Sequence, residues 1–199
     1  MINAGILVFD KVEELDFTGP FEVLSYVNKI KTDSINVRLI GKGETIKGYN
    51  GLRFFTDYTI DNCPNLDVLI VPGGQGRKLA MKDSKILDFI KERYPELKYL
   101  SSVCTGSLVI GVAGLLNSKH ATTYHTAFDE LSEMGVIVEK SKIVQDGNII
   151  TGAGVSSGID VGLYLVSKLF DEATAQQVAD RIEYNWTNDY LCYLDKLTL

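Results

Sequence analysis

Apolar residues along the chain fall into short continuous runs separated by stretches of helical spacing, a pattern that predicts strands each followed by a helix. Residues 4–9 (A-G-I-L-V-F) predict a first strand and residues 21–30 a first helix. The intervening L-D-F-T-G-P puts Pro20 in that helix's first turn, with Gly19 or Thr18 as cap and Asp16 at the strand's exit. Residues 35–40 predict a second strand. A polar hairpin around Tyr49-Asn50-Gly51 follows, where Asn-Gly favours a two-residue turn, and it is expected to be peripheral. Residues 66–71 (L-D-V-L-I-V) form a buried-type strand that stops at Pro72-Gly73-Gly74-Gln75-Gly76, with a helix over Ser84–Arg93 beyond it. The strand Tyr99–Val103 turns at Cys104-Thr105-Gly106 straight into a helix over 107–113. Short strands at 121–123, 143–144 and 149–150 and helices at 126–134, 157–170 and 172–186 complete the prediction.

Strands that alternate with helices of this length imply parallel βαβ units, because a parallel pair needs a long crossover. The predicted fold class is therefore α/β, a mainly parallel sheet with helices on both faces, built as one domain over residues 1–199. In such sheets ligands bind beyond the carboxyl ends of the strands. The loops holding Asp16, Gly73-Gly74 and Cys104 each follow a strand's end, so the chemistry is expected where they meet.

Composition narrows the classes of partner. A formal charge of -6, with lysines scattered along the chain, argues against nucleic acid, whose phosphates an acidic surface repels. The N-terminus carries no cationic segment followed by a signal-length apolar run, and no apolar run approaches a membrane span, so a soluble cytoplasmic protein is expected. Three cysteines, Cys63, Cys104 and Cys192, have no CxxC or metal-ligand spacing and suit a reducing compartment. The two histidines, His120 and His125, lack the neighbours of a zinc site, and no metal or cofactor is expected.

Cys104 is the candidate nucleophile. It sits between a strand and a helix in S-V-C-T-G-S, with small Ser102 and Gly106 at the two-residue spacing of a nucleophile elbow. Unpaired amides and the helix dipole favour a thiolate there, predicting a pKa below that of free cysteine. The plainer alternative is a small buried core residue. Asp16 is the candidate acid/base: burial beside Leu15 and Phe17, and a nearby thiolate, should raise its pKa so that it donates a hydrogen bond to the sulfur. Its alternative role is a helix cap. Pro72-Gly73-Gly74 can present an amide that, with the Thr105 amide, makes an oxyanion hole; a plain tight turn is the alternative. His125 could assist the thiol, though a surface or core histidine is commoner.

The segments E-L-D-F-T-G-P-F-E-V-L (14–24), V-P-G-G-Q-G (71–76), S-V-C-T-G-S-L-V-I-G-V-A-G-L-L (102–116) and T-G-A-G-V-S-S-G-I-D (151–160) resemble the ThiJ/PfpI superfamily, which is class I glutamine amidotransferase-like. They are most similar to its isocyanide hydratase branch. The resemblance implies a flavodoxin-like sandwich, usually a homodimer, with Cys104 as nucleophile and Asp16 as the essential aspartate. It places the Gly74 and Thr105 amides at anion-stabilising positions and implies cofactor-free addition of water to a small isonitrile, giving an N-formamide. Two departures stand out. Thr105 occupies the position where the protease-like branch has His, so a Cys-His peptidase dyad loses its best partner. Ala121-Thr122-Thr123-Tyr124-His125 replaces the related A-T-T-H-W, so an extended chain there would turn the imidazole to the opposite face. His125, Tyr124 and Gly73 are thus possible pocket residues. A cysteine amidase or protease-like hydrolase, a glyoxalase, and a non-enzymatic redox or ligand sensor are the alternative functions.

Overall fold

Valine- and isoleucine-rich runs become the inner strands of an eight-stranded sheet in the structure, a computed structural model that describes residues 1–187 and 190–193. The chain runs β1 (Ile2–Leu7), α1 (Glu14–Tyr26), β2 (Ile35–Gly41), the hairpin β3 (Thr45–Lys47) and β4 (Arg53–Phe55), and β5 (Tyr58–Thr59). It continues through β6 (Val68–Val71), α2 (Arg77–Ala80), α3 (Ser84–Arg93), β7 (Tyr99–Val103), α4 (Gly106–Val112), β8 (His120–Ala121) and α5 (Phe128–Ser132). Then follow β9 (Ile137–Val138), β10 (Ile143–Asp146), β11 (Ile149–Gly152), α6 (Ser157–Leu169), α7 (Glu172–Arg181) and β12 (Tyr190–Tyr193).

The main sheet has the order β12-β10-β11-β7-β6-β1-β2-β5. Every pairing is parallel except β10 with β11. Val68–Val71 is wholly buried and bonded on both sides, which is why its apolar run is continuous rather than alternating. The fold is the expected flavodoxin-like α/β arrangement. Helices α1, α6 and α7 pack on one another, and α2, α3, α4 and α5 form a second group.

The α1–α6 contact fixes the site, because the N-terminal turn of each helix borders it. Glycines let the two backbones approach: a Cβ on Gly158 would lie 3.1 Å from the Leu15 carbonyl oxygen, and one on Gly162 would lie 2.8 Å from Val23 Cβ. Larger residues would push the helices apart and take Asp16 with them.

Several predicted boundaries change. Helix α1 starts at Glu14, so Asp16 stands in its first turn and Pro20 lies in its interior. Pro20 lacks the amide that would bond the Asp16 carbonyl, an irregularity the helix accepts where its start alone would have been expected. Thr18 does not cap the helix; its hydroxyl donates back to the Glu14 carbonyl at 2.8 Å. The helix predicted over 126–134 is a short 3-10 turn at His125–Ala127 followed by α5. Helix α7 ends at Arg181, five residues before the predicted limit. Strand β12 was not predicted at all.

Candidate functional site

The elbow is built from its backbone. Cys104 has φ +57°, a left-handed conformation that a side-chain-bearing residue adopts only when its surroundings impose it. Here they do so on every side. Its amide donates to the carbonyls of Gly152 at 3.0 Å and Ala153 at 2.8 Å, and its carbonyl accepts from the hydroxyls of Thr123 at 3.0 Å and Ser107 at 3.2 Å. A Cβ at Gly106 would stand 1.9 Å from the Val71 carbonyl oxygen, so only glycine lets α4 leave this close to β6.

Asp16 reaches this turn from α1. Its side chain is fully buried and lies close enough to the Cys104 thiol for each group to perturb the other's ionisation. Oδ2 accepts from the Gly73 amide at 2.9 Å. Among the described residues, no well-oriented donor reaches Oδ1. Gly73 is the partition between acid and elbow: a Cβ there would lie 2.5 Å from Thr105 Oγ1 and 3.0 Å from Asp16 Oδ2. Gly74, at φ +111°, turns its amide to Thr105 Oγ1 at 3.2 Å. The structure therefore places Gly74 against the threonine hydroxyl. The backbone amides that face the sulfur are those of Thr105 and Val155.

Burial pushes the Asp16 carboxyl up from 3.8 to about 7; the Gly73 amide opposes the rise and the Glu13 charge adds to it. The expectation of a depressed thiol pKa is overturned. Burial, followed by the adjacent Asp16 charge, pushes Cys104 up to about 12, against the opposing Thr105 and Val155 amides. The physical reason is that α4 spans only seven residues and offers a modest dipole, whereas desolvation and a neighbouring carboxylate both penalise a second negative charge. Acid and thiol so close together titrate as a pair. The first proton leaves near neutrality and the second only in strong alkali, so the neutral-pH pair holds one proton and one negative charge between oxygen and sulfur.

Cys104, though 6% exposed, lines a cleft of about 270 Å³. Its other walls include Glu13, Tyr49, Arg77, Thr105, Tyr124 and Val155. Tyr124 enters the wall and packs over Gly154. His125 is exposed and meets Tyr124 with its ring tilted, centroids 4.3 Å apart. His120 is further removed, in β8, paired through Nδ1 with Glu139 at 2.8 Å and stacked on Tyr193.

Some participants had weak signals in the sequence. The hairpin predicted as peripheral brings Tyr49 into the cleft wall, held there by Asn50, whose Nδ2 donates to Glu13 Oε1 at 2.9 Å and Glu14 Oε2 at 2.7 Å. Val155 lies within T-G-A-G-V-S-S-G, a small-residue stretch before a helix whose amides were open to the same reasoning as those of Thr105. Tyr184 and Tyr190 stand away from the cleft, bonded to Asp160 and packed on Tyr164 respectively. Among the described residues, no helix is long and apolar enough to cross a membrane.

Comparison with known proteins matches residues 3–168 to the model of the DJ-1/PfpI family. The chain is 41% identical to the isonitrile hydratase of Pseudomonas putida over 184 residues, covering 92% of this chain and 78% of that protein. It is 30% identical to a deglycase of Pyrococcus horikoshii over 160 residues, 79% of this chain and 90% of that one. Its structure resembles the crystal structure of a ThiJ/PfpI family protein from Pseudomonas syringae, with TM-score 0.85 and 32% identity, covering 94% of this chain and 76% of the other.

Proposed function

The chain belongs to the DJ-1/PfpI family, and from that premise we propose that it is a cofactor-free cysteine enzyme that adds water to a small isonitrile, with Cys104 as nucleophile and Asp16 as acid and base. The observation that carries the reading is the buried Asp16 carboxyl set against the Cys104 sulfur at the floor of a solvent-connected cleft. The 41% identity to an isonitrile hydratase supports the choice of substrate.

The pair's single proton suits this reaction. The sulfur attacks the terminal carbon of R–N≡C, a C–S bond forms, and the pair's single proton passes by way of Asp16 to that carbon, leaving a thioimidate and a carboxylate. Asp16 then takes a proton from water as the oxygen adds to the carbon, and delivers it to nitrogen. Collapse breaks the C–S bond, releases R–NH–CHO, and returns the hydroxyl proton to Asp16. Every proton is returned, so neither cofactor nor oxidant enters. The Thr105 and Val155 amides stabilise the sulfur as attacker and as leaving group. A volume near 270 Å³ lies at the small end for ligand pockets and suits a compact substrate.

Isonitrile consumption and formamide production by the purified protein, with Cys104→Ala and Asp16→Asn alongside, test the proposal. The wild type should turn over, with both variants reduced by ~10²-fold or more. Equal activity in Cys104→Ala removes the mechanism. Turnover of a glycated amine with none of an isonitrile would move the assignment toward the deglycase relative.

A further inference from the structure

The cleft beside Cys104 is unequally charged. Arg77 is the one cationic side chain among the described residues lining it. It is committed elsewhere: its guanidinium makes a two-pronged contact with Glu130, at 2.7 and 2.8 Å, and only 14% of its side chain is exposed. Glu13 is in the opposite situation. Its carboxylate is held by the neutral amide of Asn50 at 2.9 Å, no cation pairs with it among the described residues, and it is near enough for its charge to act on Asp16. The Cys104–Asp16 pair adds a further negative charge. A small cleft with uncompensated acid on its wall and floor attracts cations and repels anions, and partial exclusion of water strengthens the effect.

Resting on the reading of Cys104 as the nucleophile, we propose that Glu13 is a specificity-determining residue, and that the cleft selects small electrophiles carrying a cationic group, such as an ammonium, near the reacting carbon. Glu13 meets that group, Tyr49 and Tyr124 add aromatic side chains of a type suited to a cation to the same cleft, and anionic substrates are refused.

Two assays on the full chain separate this proposal from the reaction assignment. In the first, methanethiosulfonates of matched size, one ending in trimethylammonium and one in sulfonate, label the thiols. Peptide mass analysis follows Cys104, and exposed Cys192 serves as the internal reference. The cation-to-anion rate ratio at Cys104, relative to Cys192, should exceed about tenfold, since one unit charge a few ångströms away in a partly solvated cleft has that effect. It should fall at least threefold in Glu13→Gln, which keeps a carbonyl oxygen for Asn50. It should also fall in Glu130→Gln, which releases the Arg77 charge. In the second, alkyl isonitriles of equal length ending in ammonium, methyl or carboxylate should rank in that order of kcat/KM, with the difference mainly in KM. A labelling ratio near one in the wild type, or one unchanged in Glu13→Gln, overturns the proposal. Correct labelling with no isonitrile turnover would leave the charge selection standing and overturn the isonitrile assignment alone.

Discussion

Replacing Asp16 by Asn should lower activity by ~10²-fold or more and stabilise the fold, and the stabilisation should grow with pH. The native carboxyl ionises at about 7 against 3.8 for an ordinary aspartate, chiefly because it is buried. A group whose native pKa is raised is tolerated while protonated, and costs stability as pH climbs from the unfolded value through the native one. Near pH 3 the two proteins should therefore differ little through ionisation. Each pH unit from 4 to 7 should then widen the gap by about 1.4 kcal/mol, toward about 4 kcal/mol at pH 8. Asparagine fits the same space and its carbonyl can accept the Gly73 amide, so the constant packing difference between the two should be small beside this slope. Urea unfolding of both proteins at half-unit pH intervals from 4 to 8 measures it directly. A gap that stays flat across this range, or closes as pH rises, would refute the assignment of Asp16 as a buried acid holding its proton near neutrality.

Three other outcomes follow from the same geometry. The pH profile of kcat/KM should rise along an acid limb centred near 7, where the Cys104–Asp16 pair loses its first proton. In Asp16→Asn that limb should move into alkaline pH, because burial still opposes the thiolate. Gly106→Ala should fail to fold or lose several kcal/mol by thermal denaturation, since its Cβ would stand 1.9 Å from the Val71 carbonyl oxygen. Thr123→Val removes the hydroxyl that holds the Cys104 carbonyl at 3.0 Å. It should cost about 1 kcal/mol in urea unfolding and lower kcat more than it raises KM.

Much of the framework was legible because it is written in local patterns. Helix α3 and strand β7 fall where helical spacing and a five-residue run before the elbow put them. The elbow was legible from small residues flanking Cys104, and the geometry of Gly106 shows why smallness is required there. What failed depended on tertiary context. Pro20 reads as a helix start, yet α1 begins six residues earlier, because packing on α6 supports an interior proline. Strand β12 is a four-residue edge strand, half exposed, with no periodic signal of its own. The thiol's ionisation departs from the expectation because the helix terminus is visible in sequence, whereas desolvation and the closeness of Asp16 are properties of the folded site. The hairpin tip looked peripheral for the same reason: nothing near Asn50 announces that it clasps Glu13 and Glu14, some 36 residues away in sequence.

The proposed reaction stands on one bond, formed between the Cys104 sulfur and the substrate carbon with a proton supplied through Asp16. Rapid acid quenching of the protein with an excess of isonitrile, followed by peptide mass analysis, tests it most directly. An adduct with the added mass of one intact isonitrile should appear on the Cys104 peptide and be absent in Cys104→Ala. Formamide production with Cys104 never modified, and undiminished in the alanine variant, would contradict it.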